Sequence, residues 1–130
     1  MNSTGFENLK GLNLPIVVPG AIPPGFSLKR AETSCEEGFD GYTVEWTSPS
    51  GGLYLYGVSG GIGDRMMGDE TLEFHHPTFG AGRIDIDGSK LGTSWISEMS
   101  DGLPAYCLLG EGLSQEQFLQ TVLSLNYLKL

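Results

Sequence analysis

The sequence predicts an α+β fold: a curved, mainly antiparallel sheet of about six strands with one C-terminal amphipathic helix packed on one face. Three observations carry this expectation. Short segments between Phe26 and Leu109 alternate apolar and polar residues, runs of turn formers separate them, and a capped segment with helical spacing follows. The apolar stripe of such a helix needs a partner, and one face of the sheet supplies it.

Residues 1–21 read as an irregular lead-in, in which Phe6, Leu9 and Leu12 at helical spacing suffice for one short turn. The stretch Val18-Pro19-Gly20-Ala21-Ile22-Pro23-Pro24-Gly25 then holds the backbone extended or turned, because each proline fixes its own φ and steers its predecessor away from helix. A single domain is expected over 22–130. Phe26–Ala31 and Tyr42–Thr47 alternate, the latter with Tyr42, Val44 and Trp46 on one face, and Leu53–Val58 is rich in aromatic and β-branched residues. Ser48-Pro49-Ser50-Gly51-Gly52 joins the second and third of these strands as an antiparallel hairpin.

Residues 60–81 follow as a long, glycine-containing polar connection carrying Met66, Met67, His75 and His76. Connections of that length without regular structure are often functional, so these four residues form the candidate interaction loop. Arg83–Ile86 and Ser89–Ile96 read as a second hairpin about Asp87-Gly88, and Pro104–Leu109 as a sixth strand. Ser114 and Gln117 fit a capping box, Leu113 and Phe118 a hydrophobic staple. The apolar positions Phe118, Leu119, Val122, Leu123 and Leu125 then predict a helix from Ser114 to about Tyr127.

Composition narrows the function. Seven basic against sixteen acidic residues give a net charge of −9, a field that repels phosphate backbones and anionic lipids, so nucleic acid is not an expected partner. No apolar run reaches the roughly 20 residues that cross a bilayer, and the first residues lack the order of a secretory signal. Direct membrane insertion is therefore not expected, and the compartment stays open. Cys35 and Cys107 could pair or remain separate buried thiols.

Several motifs invite chemistry. Gly57-Val58-Ser59-Gly60-Gly61 matches the G-x-S-x-G pattern of a nucleophilic serine, with Asp64 or Asp69 and His75 or His76 following in triad order. The helix that must begin behind the serine is not predicted, because Gly60, Gly61 and Gly63 are poor helix formers. The glycines read instead as relief of crowding beside an aromatic strand. The dinucleotide fingerprint fails at its third glycine, where Met66 stands. Asp85-x-Asp87-Gly88 lacks the glycine and glutamate positions of a calcium loop, and His75-His76 points its rings to opposite sides without further ligands in frame. No metal, cofactor or catalytic residue is expected.

The C-terminal third nonetheless resembles a known family. Trp95, the Asp101-Gly102 turn, Tyr106, and Leu113-Ser114-x-Glu116 opening a helix that runs to Ser124-Leu125 are similar to the closing pattern of a bacterial domain of unknown function. That domain occurs in extracytoplasmic anti-sigma-factor-like and sporulation-associated proteins and is similar to the C-terminal half of lipoprotein-sorting and sigma-regulatory folds. Ile22-Pro23-Pro24-Gly25-Phe26 and Ile86-Asp87-Gly88 extend the resemblance over residues 22–128. It implies the fold and brings no catalytic residues. The expected function is a non-catalytic binding or regulatory module that contacts a protein or a small apolar ligand through its sheet face and the 60–81 loop. The alternatives are a small serine hydrolase using Ser59 with a loop histidine, or a metal-responsive module.

Overall fold

The computed structural model describes residues 9, 12, 14–36, 39–60, 68–97 and 104–128. Its strands in chain order are β1 (Val17–Pro19), β2 (Ser27–Glu36), β3 (Phe39–Ser48), β4 (Gly51–Val58), β5 (Glu70–His76), β6 (Gly80–Asp87), β7 (Lys90–Thr93) and β8 (Ala105–Glu111). The helix α1 (Gln115–Leu123) and strand β9 (Leu125–Tyr127) follow. Strands β2-β3-β4-β8-β7-β6-β5 lie side by side, all antiparallel, with β2 and β5 at the ends; β1 and β9 form a separate antiparallel ribbon.

The six strands expected from alternation correspond to β2, β3, β4, β6, β7 and β8. The hairpin between β3 and β4 is held by Ser48 Oγ, which accepts from the amides of Ser50 at 3.2 Å and Gly51 at 3.1 Å. In the second hairpin Asp87 pairs with Lys90, so the central residues are Gly88-Ser89 rather than Asp87-Gly88. Gly88 has φ +60°, as the first central position of a two-residue turn can require.

Three expectations need correction. The chain is mainly β rather than α+β with six strands, since nine strands and one nine-residue helix are present among the described residues. The connection over 60–81 contains a strand, β5, and the start of β6, because Leu72, Phe74 and His76 alternate inward. The helix stops at Leu123 instead of continuing to about Tyr127. Ser124 closes it, its hydroxyl donating to Thr121 O at 2.7 Å, and Leu125 enters the ladder with Pro19. The start of the helix is as expected: Ser114 Oγ accepts from Gln117 N at 3.1 Å and Gln117 Oε1 from Ser114 N at 3.0 Å.

One face of the sheet points inward. Tyr42, Val44 and Trp46 of β3, Leu53 and Leu55 of β4, and Leu108 of β8 are buried there with Phe118 and Val122 of α1. Phe118 and Leu113, the stapled pair, both close over Gly110 of β8, where an added Cβ would come within 2.9 Å of the Phe118 ring. Within the segment read as a lead-in, Leu14, Ile16, Val17 and Val18 are buried in this core.

Two tyrosines anchor it. Tyr42 Oη accepts from Val17 N and donates to Val17 O, each at 2.7 Å, while Tyr106 Oη donates to Pro15 O at 2.7 Å. Burial pushes the Tyr42 phenol well above its ordinary value of 10.0; the bond to Val17 opposes the shift and Tyr106 adds to it. Above that ordinary value the unfolded chain loses a proton that the folded chain retains, so stability falls as pH rises. Urea midpoints should hold below about pH 9 and decline from about pH 10, the model-peptide range for tyrosine. Tyr42→Phe should start lower and decline less steeply; equal slopes for both proteins would disprove the account.

Candidate functional site

Ser59 follows β4 directly and extends its pairing with β3 by one step. Its amide donates to Asp40 O at 2.8 Å, and its hydroxyl accepts from Asp40 N at 2.8 Å. The hydroxyl thus serves as a ladder acceptor. His75 and His76 sit on β5, four strand positions from β4, and no described imidazole bonds to Ser59. Gly57, two residues earlier, faces Tyr42 across the ladder, where an added Cβ would lie 2.3 Å from Tyr42 Cε1. The first glycine of the motif therefore makes room for the ring that holds β1.

Of the candidate loop residues, Met66 and Met67 lie outside the described residues. His75 is exposed on the outward face of β5, while His76 points inward and is 2% exposed. His76 Nδ1 accepts from Thr78 N at 2.9 Å and Phe79 N at 3.2 Å. That pairing leaves the proton on Nε2, which donates to Leu125 O at 2.9 Å. Its ring packs against Phe79 at 4.8 Å between centroids, and Phe79 against Tyr106 and Tyr127. The structure therefore separates the adjacent histidines, one to each side of the sheet.

Among the described residues no group of three or more His, Cys, Asp or Glu side chains could hold a metal ion. Asp85 is buried beside Arg83, whose Nε stands 3.3 Å from Asp85 Oδ1. Cys107 is a free, buried thiol whose Sγ–H donates to Thr93 O at 3.4 Å. Burial pushes this thiol above its ordinary value and the Thr93 side chain partly offsets the rise, which keeps the reactive thiolate scarce. Brief alkylation at neutral pH followed by peptide mapping should leave Cys107 unmodified until denaturant is added. Rapid labelling in buffer would contradict its burial.

The outward face of the sheet carries the arrangement best suited to contact. On β4, Tyr54 and Tyr56 project outward, half-buried, between the inward Leu53 and Leu55. Across the β4–β8 ladder they face Leu109 and Cys107, and across β3 Tyr54 faces Glu45. A groove of about 360 Å³ runs along Tyr54, Tyr56 and Leu109, with Lys90 and Glu111 at its rim. Glu45 is nearly buried and compensated, with Arg30 Nε 2.9 Å from its Oε1 and Lys29 Nζ 3.9 Å from Oε2. The Arg30 Nε–H is not aligned on that oxygen, so the contact is an ion pair rather than a formed hydrogen bond. Burial raises the Tyr56 phenol above its ordinary value, as do Cys107, Tyr54 and Glu45, while Arg30 pulls it down.

Neither a family profile nor a curated protein sequence matches the chain. A solved structure does: MucB in complex with MucA(peri), at 12% identity and a TM-score of 0.55, over 95% of this chain. The chain shares the fold of part of MucB. It covers 42% of the length of that MucB chain.

Two tyrosines that matter for this face were in the sequence but not singled out there. Leu53-Tyr54-Leu55-Tyr56 places a large side chain at four successive positions, and in a strand this means both faces are covered. One face is needed for the core; the other signals contact.

Proposed function

We propose that this chain is a non-catalytic protein-binding module that engages a regulatory partner through the outward face of its sheet. The observation that carries the reading is the pair Tyr54 and Tyr56, large amphipathic side chains set beside Leu109 with neither hydroxyl hydrogen-bonded among the described residues. Tyrosines with an apolar body and a free polar tip are enriched where proteins meet. Two further points support it. The fold is shared with MucB, whose solved structure is a complex with a protein, and the family resemblance is to anti-sigma-factor-like domains. A protein partner suits the groove better than a small apolar ligand, because the inward face is filled by its own core. His75, exposed on the outward face of β5, extends the surface toward that edge, and Met66 and Met67 are kept as candidate contact residues.

Photo-crosslinking tests this. A benzophenone amino acid at position 54 should yield a discrete protein adduct in cells that make the chain, and the same group at exposed Glu116 on α1 should not. Alanine at Met66, Met67 and His75 together should weaken the adduct. Equal crosslinking from 54 and 116, or none from 54, would refute the reading.

A further inference from the structure

We propose that the open edge of β5 takes an extended, basic segment of a protein partner as an eighth strand beside the seven of the main sheet. The inference goes beyond the reading above, because it concerns the backbone at one end of the sheet and not the tyrosine-bearing face.

Pro77 fixes which backbone groups are free. The last pair of the β5–β6 ladder is His76 with Gly80. Were it a non-bonded pair, the ladder would need an N–H from residue 77, which proline lacks, so His76 and Gly80 exchange both backbone bonds. Alternation then turns Phe74, Leu72 and Glu70 toward β6 and leaves the N–H and C=O of Thr71, Glu73 and His75 pointing away from the sheet. Among the described residues none of these three makes a further hydrogen bond, and their side chains are exposed.

The two ends of the sheet differ. At the far end β2 breaks register between Leu28 and Arg30 and carries the exposed Lys29 there. A bulge and a lysine are two devices that keep a foreign strand off an edge. β5 has neither: its register with β6 is unbroken over all seven residues, and it contains no lysine and no proline. Such an edge accepts a peptide through main-chain bonds, while side chains set the preference.

Charge and alternation select the occupant. Glu73 is exposed on the outward side of β5, and Asp69 and Glu70 are exposed at its start; none is in an ion pair among the described residues. Arg83, which faces Glu73 across the ladder, is turned to Asp85 at 3.3 Å. On the inward side Leu72 is only partly buried against the core. A strand that alternates basic and apolar residues therefore sets cations beside Glu73 and apolar side chains beside Leu72. A second copy fits less well. From Asp69 to His76 the chain offers three carboxylates and no lysine or arginine, so two such edges would bring like charges together on chains that each carry −9.

Titration of the ¹⁵N-labelled chain with a capped peptide alternating lysine and valine tests this directly. Amide exchange should slow at Thr71, Glu73 and His75, while Leu72 and Phe74, already bonded to β6, change little. Methylating the peptide's backbone nitrogens on one alternate set should abolish binding and on the other set should not, because only one set faces β5. Thr71→Pro removes an edge donor without touching the ladder and should weaken binding about tenfold, the upper size of one lost main-chain bond. An unchanged melting temperature would exclude misfolding, and the methylated peptides make the same test on the unaltered chain. Glu73→Gln should weaken binding roughly twofold to fivefold, the range of an exposed ion pair, and added salt should act in the same direction. The inference is overturned if both methylated peptides bind, if protection does not fall on alternate residues, or if a glutamate–valine peptide binds as tightly. It is likewise overturned if the same amides gain protection with protein concentration alone, showing a second copy there, or if the lysine–valine peptide leaves them unmoved. None of these results touches the crosslink from position 54, so the outward-face reading stands or falls separately.

Discussion

Phe118→Ala is expected to lower stability by about 3–5 kcal/mol, the usual cost of emptying a fully buried aromatic site. Phe118 is completely buried, closes with Leu113 over Gly110, and is the first inward anchor of α1. A nine-residue helix is too short to persist without tertiary packing. Its loss should therefore loosen β9 as well, since Ser124 links the end of the helix to Gly20 and Ala21. For a domain stable by about 5–15 kcal/mol the change is a large fraction of the whole. Urea denaturation checks it, and a loss under about 1 kcal/mol would show that the helix is held by something other than this ring.

The second large effect belongs to His76. His76→Phe keeps a ring against Phe79 but strips the amides of Thr78 and Phe79 and the carbonyl of Leu125 of their partner. Each buried polar group left unsatisfied costs about 1–3 kcal/mol, so a loss of roughly 2–4 kcal/mol is expected after local rearrangement. Hydrogen exchange should report it specifically, with the Leu128 amide, which donates to Ile16 O, losing protection before the amides of β4. His75→Ala, one residue away on the exposed side, should change stability by less than about 0.5 kcal/mol. Similar losses for the two variants would mean that the inward ring is not a clasp.

His76 also explains what the sequence concealed. Segments whose inward positions were all apolar, such as Tyr42-Val44-Trp46, announced their strands by alternation alone. In β5 the inward set is Leu72, Phe74 and His76, and a polar third member made a strand resemble part of a loop. Only the three hydrogen bonds that satisfy the imidazole make it a core residue, and they come from Leu125, far along the chain, and from the following turn. β1 and β9 were hidden for a related reason: three-residue strands carry too few positions for a period, and Leu125 fits a helical stripe as well as a ladder. The helix start was legible because its cap is written within four residues. The face bearing Tyr54 and Tyr56 was legible only as aromatic richness, since which side a tyrosine takes is settled by its partners on β3 and β8.

The pairing of Val17 with Tyr127 joins segments more than a hundred residues apart, and the rings that clamp residues 15–17 come from β3 and β8. During synthesis the chain can assemble its local hairpins early, yet the first strand has no ladder partner until residue 127 has left the ribosome. Contacts so distant in sequence slow folding, because the entropy of closing the intervening chain is lost before the contact rewards it. Until then the apolar residues from Leu14 to Val18 are exposed in a partly assembled molecule, which makes the interval before completion the time of greatest exposure to aggregation.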